Sequence, residues 1–436
     1  MSTKNNLIKS TNINKILHNL IYNDKINVNF VKRCKNVGRV KIYLIRSGIY
    51  IGKIFLNVIY FFIKLLPIQE KITMLSRQSD KTNIDFELIE KEIKKRTNNV
   101  KIQILCKVIK KDAKNRFFYC FYILKCMYHI GTSKVCVLDG YSIPISILKH
   151  RKGLEIIQMW HASGALKKFG YQALNKKEGR GDGIAKLMDM HKNYTHVLAP
   201  SKTTGEIFAE AFGISEDKII INALPRIDYL LEDNFTEQKI KQFYKEYSQY
   251  INKKVILYVP TFRKDKENNV QELINSIKNS EYELIVRPHP LDKTKIRPNY
   301  KVDSKYTTYD LLKIANYIIT DYSAVAFEAS VLDKPIYFYV YDIEEYKKLR
   351  GLNIDLFEEM NNCTSTSIKE IMNSIENSKY DFKELNRFKT KYMGEDYYNN
   401  TSKLVDFIFK YLKKEIKDGE KHKNTTYEHS KEELNI

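Results

Sequence analysis

KVCVLDGYSIPISILKHRKGLEIIQMWHASGALKKFG, residues 134–170, is the stretch that decides the fold. KVCVLD (134–139) is a short apolar run, the segment around IPISILK reads as a short helix, and EIIQMW (155–160) is a second apolar run. Runs of four to eight apolar residues alternating with helical segments are the mark of βα units and a buried parallel sheet. The second run ends in Trp160, which is the only tryptophan, and immediately past it come His161, a small pliable run Ala162-Ser163-Gly164-Ala165, and two cations, Lys167 and Lys168. Parallel α/β sheets bind ligands beyond the carboxyl ends of their strands. A titratable ring at that place can face a cleft, and an unperturbed imidazole titrates near 6.5, so it can accept a proton at neutral pH.

The same alternation extends in both directions. Upstream are KITML (71–75), a helix around DFELIEKEIKKR, the strand VKIQILCKVI and the helix KNRFFYCFYILKCMYHI. Downstream come THVLAP, SKTTGEIFAEAFG and KIIINAL. The pattern pauses over the polar stretch 230–252 and resumes with KKVILYVPTFR (253–263), YELIVRPHP (282–290), YIITD (317–321) and PIYFYVYD (335–342). Residues 366–416 look helical, and the tail 417–436 is charged and expected to be disordered. The predicted architecture is α/β: two Rossmann-like, doubly wound parallel-sheet domains, 69–232 and 250–416, with a cleft between them and a basic, apolar N-terminal segment, 1–68.

Charge narrows the partner. The 436 residues carry 74 Lys and Arg against 52 Asp and Glu, a formal net charge of +22. Such an excess calls for an anionic partner. Residues 1–64 hold a single acidic residue, Asp24, and the run IFLNVIYFFIKLLP (54–67) follows. That run is shorter than the roughly 20 apolar residues of a spanning helix, and Arg46 and Lys53 limit its extension. No secretion signal is visible at the start. The segment is therefore expected to lie in the cytoplasmic interface of an anionic membrane, the plainer alternative being a buried helix. The six cysteines form no C-x-x-C pair and sit mostly in apolar runs. They are expected to be buried thiols rather than disulfides or zinc ligands. No G-x-x-x-x-G-K loop, H-E-x-x-H or G-x-S-x-G is present, and GRGDG (179–183) lacks dinucleotide spacing. No metal or cofactor is expected, and basic charge without an aromatic-interleaved motif does not favour nucleic acid.

Four further motifs stand at strand ends. RPHP (287–290) places Arg287 and His289 on one side of an extended segment stiffened by two prolines, a grip for phosphate oxygens. In IITDYSAVAFEAS (318–330), Ser323 stands near a helix start and Glu328 about a turn along. YVPTFRKD (258–265) brings Thr261 and Arg263, and LPRIDYL (224–230) brings Arg226 and Asp228. Each has a structural alternative: a histidine bonding a loop carbonyl, a surface arginine, an N-cap. A shared cleft for an anionic donor accounts for all of them together.

The joint occurrence, in this order, of WHASGALKKFG, PTFR, RPHP, TDYSAVAFE and KPIYFY resembles the CDP-glycerol glycerophosphotransferase family, the teichoic-acid polymerases and primases of Gram-positive bacteria. The resemblance runs from about residue 71 to about 355. It implies a GT-B fold and a peripheral protein at the cytoplasmic face of the plasma membrane. It also implies transfer of glycerol phosphate from CDP-glycerol to a hydroxyl of a lipid-linked acceptor, with release of CMP. By resemblance, His161 is the general base. Arg287, His289 and Ser323 hold the donor diphosphate, with Thr320 and Arg263 nearby, and His289 also stabilises the departing CMP. Glu328 binds the ribose hydroxyls. Lys167 and Lys168 are expected on the acceptor phosphate. The family usually carries glycine after the histidine; Ala162 here marks a divergent branch. A CDP-ribitol transferase, a glycosyltransferase using a nucleotide sugar and a non-catalytic membrane-surface protein are the alternatives.

Overall fold

The computed structural model describes residues 46–412, apart from 110–111, 177–181, 264–267, 290–291 and the single positions 233, 278, 280, 293 and 295. The predicted tail, most of the N-terminal segment and Cys34 lie outside the described residues. Residues from Ile59 onward form one compact unit. Of the unit before it, the structure describes the first part of a helix, Arg46–Ile63. That helix starts before the apolar run picked out in the sequence, and Arg46 and Lys53 lie inside it instead of ending it. Its 18 residues have a mean hydropathy of 1.3, enough by length and composition to cross a membrane.

The compact unit holds two parallel sheets. The first contains β1 (Lys71–Ser76), β2 (Lys101–Cys106), β3 (Val135–Leu138), β4 (Glu155–Gln158), β5 (His196–Ala199) and β6 (Ile219–Ile221), in the order β2-β1-β3-β4-β5-β6. The second contains β7 (Lys254–Val259), β8 (Tyr282–Val286), β9 (Tyr317–Thr320), β10 (Ile336–Tyr339) and β11 (Thr364–Ser365), in the order β11-β10-β9-β7-β8. Central strands such as VCVL (β3) and IYFY (β10) are buried along their whole length, which is why they read as continuous apolar runs. In each sheet the strand order reverses beside its first strand, between β1 and β3 and between β7 and β9. A crevice opens at the carboxyl end of each reversal, the place where such sheets take ligands.

Helix Ile84–Arg96 shows how the local sequence fixes an element. Asn83 caps it, its side chain accepting from the Phe86 N–H at 2.9 Å. Phe86, Ile89 and Ile93 form the buried stripe, and Lys94, Lys95 and Arg96 sit in the last turn, where cations suit the helix carboxyl end.

The boundary between the halves differs from the sequence reading. Helix Asn400–Leu412 falls in the span assigned to the second domain, yet Leu404, Val405, Ile408 and Leu412 pack with Phe86, Ile89 and Val137 of the first. Asp228 explains its start: the carboxylate accepts from the backbone N–H groups of Asn400 (2.9 Å) and Thr401 (2.7 Å). Leu166 and Ile227 of the first half share one apolar cluster with Val255, Ile318 and Phe327 of the second. The halves are therefore joined by a common core as well as by a connecting segment. Among the described cysteines, Cys126, Cys136 and Cys363 are buried as expected, whereas Cys120 is exposed.

Removing side-chain volume from the returning helix should destabilise the first half. Ile408→Ala is expected to lower the unfolding free energy by about 2–5 kcal/mol, and Ile408→Val by about 0.5–1.5 kcal/mol. Urea unfolding followed by circular dichroism measures both. Equal stability of Ile408→Ala and wild type would mean that the helix does not close the core.

Candidate active site

The chain leaves β4 through a backbone position that few side chains adopt. Trp160 has φ 64°, and its N–H donates to Gln158 Oε1 at 2.8 Å. The indole stacks on Phe169, with ring centroids 5.0 Å apart, and meets the edge of Phe212 at 5.1 Å. A left-handed non-glycine residue costs roughly 1–3 kcal/mol, and it persists where packing over-determines it. The tryptophan is therefore the anchor of the loop, and the anchored turn sets His161 at the cleft.

Among the described residues, the imidazole of His161 takes its hydrogen bonds at Nδ1. Nδ1 lies 3.1 Å from the carbonyl oxygen of Asp139, which follows β3. A carbonyl only accepts, so Nδ1 carries the proton and Nε2 is left as the acceptor. The Gln78 carboxamide, past β1, reaches the same Nδ1 at 3.2 Å; with Nδ1 protonated, its oxygen end fits there. Both supports come from the crevice between β1 and β3. The structural alternative, a histidine bonding a loop carbonyl, and the functional one thus describe two different nitrogens of one ring. Desolvation pushes this imidazole down to about 4, opposed by the hydrogen bond to Asp139 and reinforced by Arg226 and Lys167. It is neutral at physiological pH.

Arg226 opens helix Arg226–Leu231 and gathers the surrounding loops. Its guanidinium forms a buried ion pair with Asp85 and donates to the His161 carbonyl oxygen at 3.2 Å and to the Tyr309 hydroxyl. Nη1 also lies 3.7 Å from Glu328 Oε1. Ser163 donates to the same Oε1 at 3.0 Å, while Glu328 Oε2 is buried with no partner among the described residues. Burial raises the Glu328 carboxyl, opposed by Arg226. The turn after Ser163 needs its glycine: a Cβ on Gly164 would lie 2.7 Å from the Phe327 ring. Past it, Lys168 N–H donates to Gly351 O (3.0 Å) and Asn353 N–H to Leu166 O (2.8 Å), so the histidine loop is strapped to the second half.

These elements line a cleft of about 1230 Å³. His161, Lys167 and Arg226 face it from the first half; Thr261, Arg287, His289, Ser323 and Glu328 face it from the second. Arg287 donates to the Tyr306 carbonyl at 2.7 Å, which orients its guanidinium. His289 packs against Phe262, and desolvation together with Lys167 lowers its pKa. Thr261 Oγ1 is buried with no partner among the described residues. Helix Val325–Ser330 is only six residues long. It has few aligned peptide dipoles, so side-chain cations carry most of the positive field.

Three expected contacts are placed elsewhere. Arg263 does not line the cleft: its guanidinium binds Asp321 (3.0 Å) and Asp342 (2.7 Å) and lies against the Tyr322 and Tyr346 rings. Asp321 in turn accepts from the Thr261 N–H at 2.9 Å, so Arg263 shapes the Thr261 loop from behind. Thr320 is fully buried and donates to Val259 O at 2.8 Å. Lys168 runs along Gly351, outside the lining, while Lys167 alone of the pair faces the cleft. Sequence reasoning missed Lys301, Tyr309 and Arg350, which also line it. None stands directly past a strand, so the positional rule gave no signal for them.

Among the described residues, five cations (Lys167, Arg226, Arg287, Lys301 and Arg350) line the cleft with one carboxylate, Glu328. Such a lining takes an anionic ligand. A group of three or more metal-ligating side chains is absent among the described residues.

Comparison with known proteins gives the family and the fold. Residues 58–410 match the family described as CDP-Glycerol:Poly(glycerophosphate) glycerophosphotransferase. The chain is 29% identical to the teichoic acid ribitol-phosphate primase of Bacillus spizizenii over 363 residues, covering 80% of this chain and 93% of the relative. It is also 29% identical to the teichoic acid glycerol-phosphate primase of Bacillus subtilis over 382 residues, covering 81% and 95%. A solved structure of the wall teichoic acid polymerase TagF has the same fold, with a TM-score of 0.66 at 20% identity over 85% of this chain and 98% of that one. The chain belongs to the CDP-glycerol glycerophosphotransferase family.

Proposed function

We propose that the protein transfers glycerol phosphate from CDP-glycerol to a hydroxyl of a membrane-lipid-linked, teichoic-acid-type acceptor and releases CMP. The observation that carries this reading is a neutral imidazole with an open Nε2, facing a cleft rich in cations. The attacked phosphorus is shielded by negative oxygens, so cations must neutralise it before a hydroxyl can approach. Arg287, His289, Ser323 and Thr261 are our assignments for the donor diphosphate and Glu328 for the ribose hydroxyls. Lys167 is our assignment for the acceptor phosphate. His161 Nε2 takes the proton of the attacking hydroxyl as its oxygen bonds to the β-phosphorus of the donor, the one bearing glycerol. The bond from that phosphorus to the bridging oxygen breaks, and CMP leaves with the electron pair. CMP is a phosphate leaving group, so it needs little acid help.

An imidazole near 4 is a weak base in the empty cleft. Bound diphosphate adds negative charge beside it and raises its affinity for a proton when the substrate is in place. The membrane and the cytoplasmic face enter this reading through the lipid-linked acceptor and the apolar helix Arg46–Ile63.

His161→Ala is expected to lower CMP release from CDP-glycerol, with a lipid-phosphate acceptor analogue, by about 10²–10⁴-fold. Unchanged release would remove His161 from the reaction, and turnover of a nucleotide sugar or CDP-ribitol in place of CDP-glycerol would reassign the donor.

The pH profile separates base from bystander. The acid limb of kcat/KM, which reports the free enzyme, is expected below 6.5, because desolvation by the cleft walls and the cations Arg226 and Lys167 lower the pKa of a ring that itself stays exposed to the cleft. The limb of kcat, which reports the loaded enzyme, is expected at higher pH. Lys167→Ala removes a neighbouring cation, stabilises the protonated ring and moves the kcat/KM limb upward. A wild-type kcat/KM limb at or above 6.5 would contradict this assignment.

A further inference from the structure

The pliable run after His161 does more than turn the chain. Ser163 and Glu328 are both buried, and they meet across the two halves, the Ser163 hydroxyl donating to Glu328 Oε1 at 3.0 Å. Their neighbours touch as well. Gly164 lies so close to Phe327 that a Cβ would stand 2.7 Å from the ring. Residues 163 and 164 of the base loop therefore rest directly on residues 327 and 328 of helix Val325–Ser330. The end of the loop is tied to the same half. Lys167 and Leu352 form an antiparallel bridge, and the Asn353 side-chain amide donates to Lys167 O at 3.3 Å and to Gln172 Oε1 at 3.2 Å.

This contact divides Glu328 between two tasks. Oε1 is engaged from the first half, by Ser163 and by Arg226 Nη1 at 3.7 Å. Oε2 is buried and has no hydrogen-bond partner among the described residues, although Glu328 belongs to the cleft lining. A buried carboxylate oxygen without a donor costs free energy, and a ligand hydroxyl arriving there recovers it. Burial raises this carboxyl; Arg226, and after it the Ser163 hydroxyl, oppose the rise. Both therefore favour the ionised form, which accepts on either oxygen. Ser163 itself stands behind the lining, so it acts on a ligand through Glu328.

We propose that Ser163 is a positioning residue that links ribose binding to the base. It fixes Glu328 Oε1 so that Oε2 is presented to a ribose hydroxyl, and the ribose-bound carboxylate in turn fixes the loop two residues after His161. The inference rests on the reading of Glu328 as the ribose ligand. It adds that a nucleotide lacking the ribose hydroxyls loses twice, in affinity and in the placement of Nε2 during the chemical step. The coupling is reciprocal: whatever Ser163 contributes to ribose binding, the ribose contributes to holding Ser163.

The test is a double cycle on the full chain, Ser163→Ala against wild type and CMP against its dideoxyribose analogue, with affinity read by calorimetry. The corresponding CDP-glycerol donors are compared by single-turnover release of the nucleoside monophosphate. Wild type is expected to bind CMP at least about tenfold more tightly than the analogue, and Ser163→Ala to lose most of that preference. The chemical step of Ser163→Ala is expected to slow about tenfold with CDP-glycerol and about threefold or less with the dideoxy donor. A ribose preference that Ser163→Ala keeps in full would overturn the proposal and leave the ribose reading of Glu328 standing. Equal slowing with both donors would also overturn it, since a merely structural loop contact gives that result. Absence of any ribose preference in wild type would reject the ribose reading and the proposal with it. Ser163→Cys fills the same space with a weaker donor and is expected to follow Ser163→Ala, so it carries the test where the alanine variant does not fold. If wild type turns over no CDP-glycerol, the proposed reaction fails and the affinity cycle alone decides the role of Ser163: a lost ribose preference supports it and a retained one overturns it.

Discussion

The buried ion pair between Arg226 and Asp85 is the contact on which the site depends. Both side chains lie almost wholly out of water, and removing one partner of such a pair costs about 3–5 kcal/mol because the other is left uncompensated. Arg226 has donors to spare beyond the pair. They hold the backbone of His161, the hydroxyl of Tyr309 and the neighbourhood of Glu328. One guanidinium therefore sets the base loop of the first half against two helices of the second. The planar fork of arginine suits this task, since it satisfies several fixed acceptors at once.

The electrostatics follow from that frame. Desolvation and cations that attract an anionic donor also keep His161 unprotonated, so one field serves two purposes. Among the described residues, Glu328 is the exception in the charged lining, and its Oε2 is left without a partner. A buried acceptor atom in that state is costly unless a ligand donor meets it. Thr261 Oγ1, also in the second half, is in the same condition among the described residues. Both atoms are consistent with a site shaped for a polar ligand.

Much of this was legible in the sequence, for a physical reason. Fully buried parallel strands have to be apolar throughout, so their ends are visible as the points where apolar runs stop. His161, Arg287, His289 and Ser323 stand at or soon after such stops, and the structure brings all four to one cleft. Strand position alone does not say where a side chain points. Arg263 follows β7 as expected, yet two carboxylates, Asp321 and Asp342, draw it behind the loop. Lys301 and Arg350 reach the cleft from segments with no periodic signal. Helix Asn400–Leu412 has a clear apolar stripe, but a stripe does not name the sheet it will cover; that choice is made by the cap at Asp228 and the shape of the first core.

The measurement that tests this account most directly is single-turnover CMP release by Asp85→Asn, made beside its equilibrium affinity for CDP-glycerol. Loss of the carboxylate charge frees Arg226 and loosens the His161 loop, while the donor-side cations of the second half stay in place. The account predicts a chemical step slowed by about 10²-fold, the order expected from a misplacement of about 1 Å, with donor affinity little changed. An unchanged chemical step in a folded variant would contradict it, since the ion pair would then not position the base.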